Sequence, residues 1–127
     1  MIDDQIRKYA RADISDGDMV KVQITRIATN LKGAMVNPIP VQPINISARG
    51  IKFSTNLIFT TGIMLDLSIK LEDKIIQTTG KLVRMEKVDE TFKYAVSFSL
   101  LKEYNKNIIS NFVKRKTIDH IQHLRGQ

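Results

Sequence analysis

Apolar and polar side chains alternate along several stretches of the chain, and most clearly over residues 63–71. The apolar members of this stretch are Ile63, Leu65, Leu67, Ile69 and Leu71. A period of two is typical of a β-strand with one buried face. The same period appears over residues 20–25 and again at Tyr94, Val96, Phe98 and Leu100, which we expect to share a buried face. A chain with this pattern must fold mainly as an antiparallel β-structure.

The period changes after Leu101. Apolar residues then recur at helical spacing, at Tyr104, Ile108, Ile109, Phe112 and Val113. This predicts one amphipathic C-terminal helix, with Tyr104, Ile108 and Phe112 packed against the strands. Short antiparallel strands followed by one helix favour a small β-barrel or sandwich, and 127 residues suffice for a single domain.

Two segments interrupt the strand pattern. Residues 38–43 contain all three prolines, so we predict an extended connection or an edge segment there rather than a central strand. Residues 45–50 indicate a turn, because Asn and Ser are followed by Gly50. Gly80 lies inside the strand predicted over residues 75–88 and indicates a bend or bulge.

The composition limits the possible environments and partners. The chain has no cysteine, which excludes disulfides and thiolate metal sites, and its apolar stretches are too short to span a bilayer. Met1 is followed by Ile2, Asp3 and Asp4, which does not resemble a signal peptide. We therefore expect a soluble, cytoplasmic protein. The formal net charge of +7 favours anionic partners or is simply a solubilising surface.

The sequence offers no support for an enzyme. His120 and His123 are spaced i, i+3 near the end of the chain, without a nearby carboxylate cluster of metal-ligand spacing. No nucleophile elbow, phosphate-binding loop or dinucleotide motif is present. We predict no catalytic residues, no metal site and no cofactor.

Two polar motifs stand out. Arg7 and Arg11 form an RxxxR spacing ahead of the first strand, and Asn45, Ser47 and Gly50 form an NxSxxG spacing in the predicted turn. In this order they resemble the PilZ family, whose members show RxxxR followed by [DN]xSxxG. The segments Gly80–Arg84 and Tyr94–Phe98 resemble later strands of the same family. The resemblance covers roughly residues 6–116.

The resemblance implies a six-stranded antiparallel β-barrel that binds cyclic di-GMP on its outer surface without catalysis. The predicted site residues are Arg7, Arg11, Asn45, Ser47 and Gly50. Their chemistry agrees with this ligand, because a guanidinium fork matches both phosphate oxygens and the O6/N7 edge of guanine. We expect Gly50 to allow a positive φ and a close approach by the ligand. Arg49 either adds charge to the site or faces solvent.

The same reasoning predicts the organisation of the chain. Residues 1–11 form a flexible arm that carries RxxxR, residues 12–116 form the barrel with its helix, and residues 117–127 extend the helix or form a tail. Binding of one or two cyclic di-GMP molecules would order the arm and present a new surface to a downstream bacterial protein of the motility or exopolysaccharide machinery.

Two alternatives stay open. One is a small nucleic-acid-binding barrel, which the sequence disfavours because aromatic residues are only 6% and most occupy predicted buried positions. The other is a PilZ-like interaction module without a ligand, against which both complete motifs argue.

Overall fold

The computed structural model describes the backbone of residues 10–29 and 32–125 and the side chains of residues 10–28 and 37–118. Seven strands precede one helix. The strands are β1 Arg11–Asp13, β2 Val20–Thr29, β3 Lys32–Ser47, β4 Gly50–Thr55, β5 Met64–Leu71, β6 Lys74–Val88 and β7 Thr91–Leu100. The helix, α1, is Glu103–Arg125 and therefore includes residues 117–125 of the segment predicted to extend it.

Six of the strands close into an antiparallel barrel, as predicted. The order is β3-β2-β5-β6-β7-β4, and β4 pairs back to β3 to complete the ring. The short strand β1 is an addition to this ring and pairs with the C-terminal end of β3. It contacts the same residues of β3 as β4 does, Asn45 and Ile46, and therefore lies on the opposite edge of that strand.

The alternating apolar side chains fill the inside of the barrel. On β5, Leu65, Leu67, Ile69 and Leu71 are buried, which confirms the prediction from their spacing. On β7 the prediction holds for Tyr94 and Val96 but is wrong for Leu100, which is 82% exposed.

The reason for the exposed Leu100 is a register shift. Gly80 pairs with Phe98, but the preceding Thr79 pairs with Leu100, so one β7 residue is skipped. An extra residue in one strand turns the following side chain to the other face. The shift lies at Gly80, where the sequence predicts a bend or bulge.

The proline-rich segment is part of β3, so the prediction of a connection there is wrong. Its edge character nevertheless holds locally. Residues 39–41 pair with β2, whereas residues 42–43 pair with β4, so each has a ladder partner on one side only. On the side that has no partner strand, the missing N–H of a proline costs no ladder hydrogen bond.

Helix α1 packs over β1 and β3 through its middle turns. Ile109, Phe112 and Val113 are buried, and Ile108 packs against them at the margin of the core. Tyr104 is 68% exposed, so its predicted packing is wrong. It lies in the first turn of α1, ahead of the buried face that begins at Ile108.

Two ion pairs join α1 to loops of the barrel. Arg115 pairs with Glu72 in the β5–β6 turn, and Lys116 contacts both carboxylate oxygens of Asp18 at 2.8 and 3.0 Å. Burial raises the pKa of Asp18, but hydrogen bonds from Lys116 and Ser15, together with the Lys116 charge, lower it below its usual value. Because the folded pKa is the lower one, this carboxylate stabilises the fold at neutral pH, and the contribution is lost in acid as pH falls through that pKa.

Candidate functional site

The second predicted motif lies at a tight junction between two strands. Asn45 and Ser47 are the last outward-facing residues of β3, and the buried Ile46 separates them. Gly50 is the first residue of β4, so only residues 48–49 form the bend. The predicted turn is therefore shorter than residues 45–50. The alternation of β3 places the Asn45 and Ser47 side chains on the same outer surface.

Strand β1 brings Arg11 to this surface. Arg11 pairs directly with Ser47, and the next pair joins the buried Ala12 to Ile46. The structure therefore places Arg11 in a paired strand, although the sequence assigns it to the flexible arm. Its side chain is exposed on the same face as Ser47. Arg7 and the rest of the arm before Ala10 lie outside the described residues.

Hydrogen bonds hold the bend at residues 48–49 in place. The Arg49 backbone N–H donates to the Ser47 hydroxyl oxygen at 3.1 Å, and the Arg49 carbonyl accepts from the Phe98 N–H at 2.9 Å. The first bond uses Ser47 as an acceptor and leaves its hydroxyl hydrogen available to a ligand. The second fixes the bend against β7.

Gly50 serves the fold rather than an unusual backbone angle. It pairs with Ser97 on β7, and a Cβ atom at position 50 would lie 2.2 Å from the Val96 carbonyl oxygen. Gly62 is the glycine with a positive φ among the described residues, so the positive φ expected at Gly50 is wrong. Glycine is needed here because the β7 backbone approaches too closely for any side chain.

The outer surface continues from the motif across three further strands. Asn45 lies opposite Lys52 on β4, Lys52 lies opposite Ala95 on β7, and Ala95 lies opposite Arg84 on β6. Beside this row of cross-strand neighbours, Arg11 and Ser47 begin a second row on the same face. The two rows are one continuous face of the barrel.

This face is the floor of an open groove of about 980 Å³. The groove brings together every predicted site residue that the structure describes: Arg11, Asn45, Ser47, Arg49 and Gly50. Its charged lining side chains are Arg11, Arg49, Lys52, Arg84, Lys93 and Glu86. The described lining residues thus include five cations and one carboxylate, which makes the groove net positive, and none of them is aromatic.

Sequence reasoning missed Lys52, Arg84 and Lys93. The local signal was present, because alternation places Lys52 on the same face as Gly50. What the sequence did not show is that β4 lies beside β7, which requires pairing between segments about 40 residues apart. Strand β6 then follows as the hairpin neighbour of β7. Cationic positions on separate strands become one site only through that topology.

Features of other functional classes do not appear in the described part of the chain. Residues 10–28 and 37–118 contain no group of three side chains suited to hold a metal ion. The histidine pair considered from the sequence lies outside these side chains. The one described helix is not long and apolar enough to cross a membrane.

The domain is thus a closed six-stranded antiparallel barrel with a C-terminal helix and a cationic outer groove. The model of the PilZ domain family matches residues 5–115. The chain belongs to the PilZ family, whose domains are generally non-enzymatic cyclic di-GMP receptors.

Two of the solved structures that match the chain illustrate the shared fold. The Bacillus subtilis inhibitor of motility, MotI/DgrA, is 22% identical with a TM-score of 0.69, over 88% of this chain and 51% of that one. The uncharacterized Legionella protein Lpg0364 is 14% identical with a TM-score of 0.59, over 88% of this chain and 98% of that one. The chain thus spans about half the length of the MotI/DgrA structure. No curated protein sequence matches it.

Proposed function

We propose that this domain binds cyclic di-GMP in the cationic groove and acts as a receptor without catalytic activity. The observation that supports this most directly is the convergence of Arg11, Asn45 and Ser47 on one face, from segments far apart in sequence. Two phosphates and two guanines need cations together with a few placed donors and acceptors. The groove offers both.

The individual roles follow from side-chain chemistry. Arg11 binds a phosphate or a guanine edge through its guanidinium fork, and Arg49 adds charge from the adjoining bend. Asn45 accepts from a guanine N–H through its amide oxygen, and Ser47 donates its remaining hydroxyl hydrogen. Gly50 acts indirectly, because it allows the β4–β7 pairing that forms the floor. No cofactor takes part.

Calorimetric titration of the chain tests this proposal. We expect saturable binding of cyclic di-GMP and much weaker binding of GMP, which carries one phosphate and one guanine. Single-stranded DNA is the second comparison, because the groove has cations but no described aromatic residue on which bases would stack. DNA binding tighter than cyclic di-GMP binding would favour the nucleic-acid alternative, and absence of cyclic di-GMP binding would refute the proposal.

The N-terminal arm is the proposed signalling element. Ligand contact by Arg7 would hold residues before β1 against the groove, and a partner would then meet a changed surface. The partner we propose is a cytoplasmic bacterial protein of the motility or exopolysaccharide machinery. MotI/DgrA, described as an inhibitor of motility, favours the first of these.

Hydrogen exchange tests the arm's role. We expect the amides of residues 5–9 to gain protection when cyclic di-GMP is added. The Ile14 N–H already donates to the Ile44 carbonyl at 2.8 Å, so protection beyond β1 should change little. Strand β5 serves as the internal control because its amides lie in the closed barrel. Equal protection of residues 5–9 with and without ligand would refute the switch but not the binding.

A further inference from the structure

The groove has a cationic side that neither sequence motif includes. Lys52 on β4 and Arg84 on β6 face outward on either side of Ala95. Neighbouring strands lie about 4.8 Å apart, so the Cα atoms of Lys52 and Arg84 are about 10 Å apart across the floor. The residue between them is small, and the space above it is bounded by two long cationic side chains.

Within the described residues, neither of these two cations forms an ion pair with a carboxylate. Three ion pairs join described residues away from the groove: Lys106–Glu103, Arg115–Glu72 and Lys116–Asp18. The groove's one carboxylate, Glu86, lies directly opposite Lys93 in the β6–β7 ladder. Cross-strand neighbours of opposite charge interact favourably. Glu86 also lies two residues from Arg84 on the same face of β6, whereas the ladder partners of Lys52 are Asn45 and Ala95. One carboxylate therefore lies among three groove cations, and net positive charge is left for an external anion.

The position of Lys52 and Arg84 relative to the NxSxxG motif indicates which kind of anion they would bind. Lys52 lies directly opposite Asn45, so whatever Asn45 binds is also within reach of Lys52. Arg84 lies two strands further, on the side away from Arg11. A ligand that begins at Arg11 and Ser47 and extends across the floor therefore approaches Arg84. A cyclic dinucleotide has two phosphates on opposite sides of its ring, and two separate cationic sides suit it.

We propose that Lys52 and Arg84 bind one phosphate of the cyclic dinucleotide, while Arg11 and Arg49 serve the other side of the ligand. This inference rests on the proposed function and extends it to residues outside both motifs. The contact is mainly electrostatic, so charge at position 84 matters more than the shape of the guanidinium group.

The test compares variants that lose the same charge. Lys52→Gln and Arg84→Gln should each weaken cyclic di-GMP binding about fivefold to tenfold, as expected for losing one charge-assisted contact in an open groove. The double variant should also show a shallower dependence of affinity on salt, because fewer charges are neutralised on binding. The matched control is Lys21→Gln with Lys70→Gln, an exposed pair on β2 and β5 outside the groove. It should bind like the parent.

Arg84→Lys separates phosphate binding from base recognition. Retained affinity in Arg84→Lys supports the phosphate assignment. A loss as large as that of Arg84→Gln would overturn it, since only the planar fork would then explain the contact. If the Lys52→Gln, Arg84→Gln double variant binds cyclic di-GMP as tightly as the parent chain does, this inference alone is overturned. A parent chain that fails to bind cyclic di-GMP overturns the proposed function as well.

Discussion

Replacing Gly50 with alanine should lower the free energy of unfolding by about 3 kcal/mol, at the upper end of typical overpacking costs. The added Cβ would lie 2.2 Å from the Val96 carbonyl oxygen and 3.2 Å from its carbon. These are backbone atoms of a paired strand, so no side-chain rotation relieves the clash. The β4–β7 ladder must open or shift, and the melting temperature should fall by about 10 °C. Gly50→Val should be worse.

Gly17→Ala is the matched control for this substitution. Nothing lies within 4 Å of a Cβ atom at position 17, and its φ is not in the left-handed region. The variant should therefore be neutral or slightly more stable, because alanine restricts the unfolded chain. Thermal melts of both variants, followed by circular dichroism, check the prediction. A Gly50→Ala melting temperature within about 2 °C of the parent's would contradict it.

This result would change how the motif glycine is interpreted. A Gly50 variant that fails to bind cyclic di-GMP does not show that the ligand contacts position 50. The closest atoms to an added Cβ belong to β7, and β7 supplies Ala95 and Ser97 to the groove floor. The glycine keeps the floor flat and the two strands paired. Loss of binding would follow from loss of the floor.

Local sequence information was sufficient where a strand is regular. The alternation of β5 predicts its buried face, since each inward position meets the same closed interior. It was insufficient at Leu100, because one skipped residue in β7 reverses the face and depends on pairing with β6. It also failed for the prolines of β3. The cost of a proline's missing N–H in β3 depends on which strand lies beside it. The partner of β3 changes from β2 to β4 within the proline-rich segment.

The candidate site likewise contains residues that the sequence predicts and residues that only the strand order brings together. The resemblance to the family identified Arg11, Asn45 and Ser47, and the structure places them on one face. Lys52 and Arg84 could not be found this way, because they become neighbours of Asn45 only through the order β3-β4-β7-β6. A lysine at an outward strand position normally indicates only a solvated surface. The closure of the barrel turns these two into part of a groove.

Replacing both Arg7 and Arg11 with alanine should weaken cyclic di-GMP binding about a hundredfold, with each single substitution contributing about tenfold. Arg11 is exposed and sits opposite Ser47 in β1, so its guanidinium is held at the groove by backbone pairing. We expect Arg7 to act with it, from the arm. Each side chain would supply charge-assisted hydrogen bonds to phosphate or guanine.

The stability of the fold should barely change in these variants, because Arg11 is exposed and forms none of the ion pairs found among the described residues. Arg11→Lys keeps the charge but loses the fork, so its affinity should lie between those of the parent and Arg11→Ala. Arg26→Ala is the control, since Arg26 is exposed on β2 and does not line the groove. Calorimetric titration at two salt concentrations, together with a thermal melt, separates affinity from folding. If the double variant binds as tightly as the parent while Arg26→Ala weakens binding, the ligand lies elsewhere on the barrel.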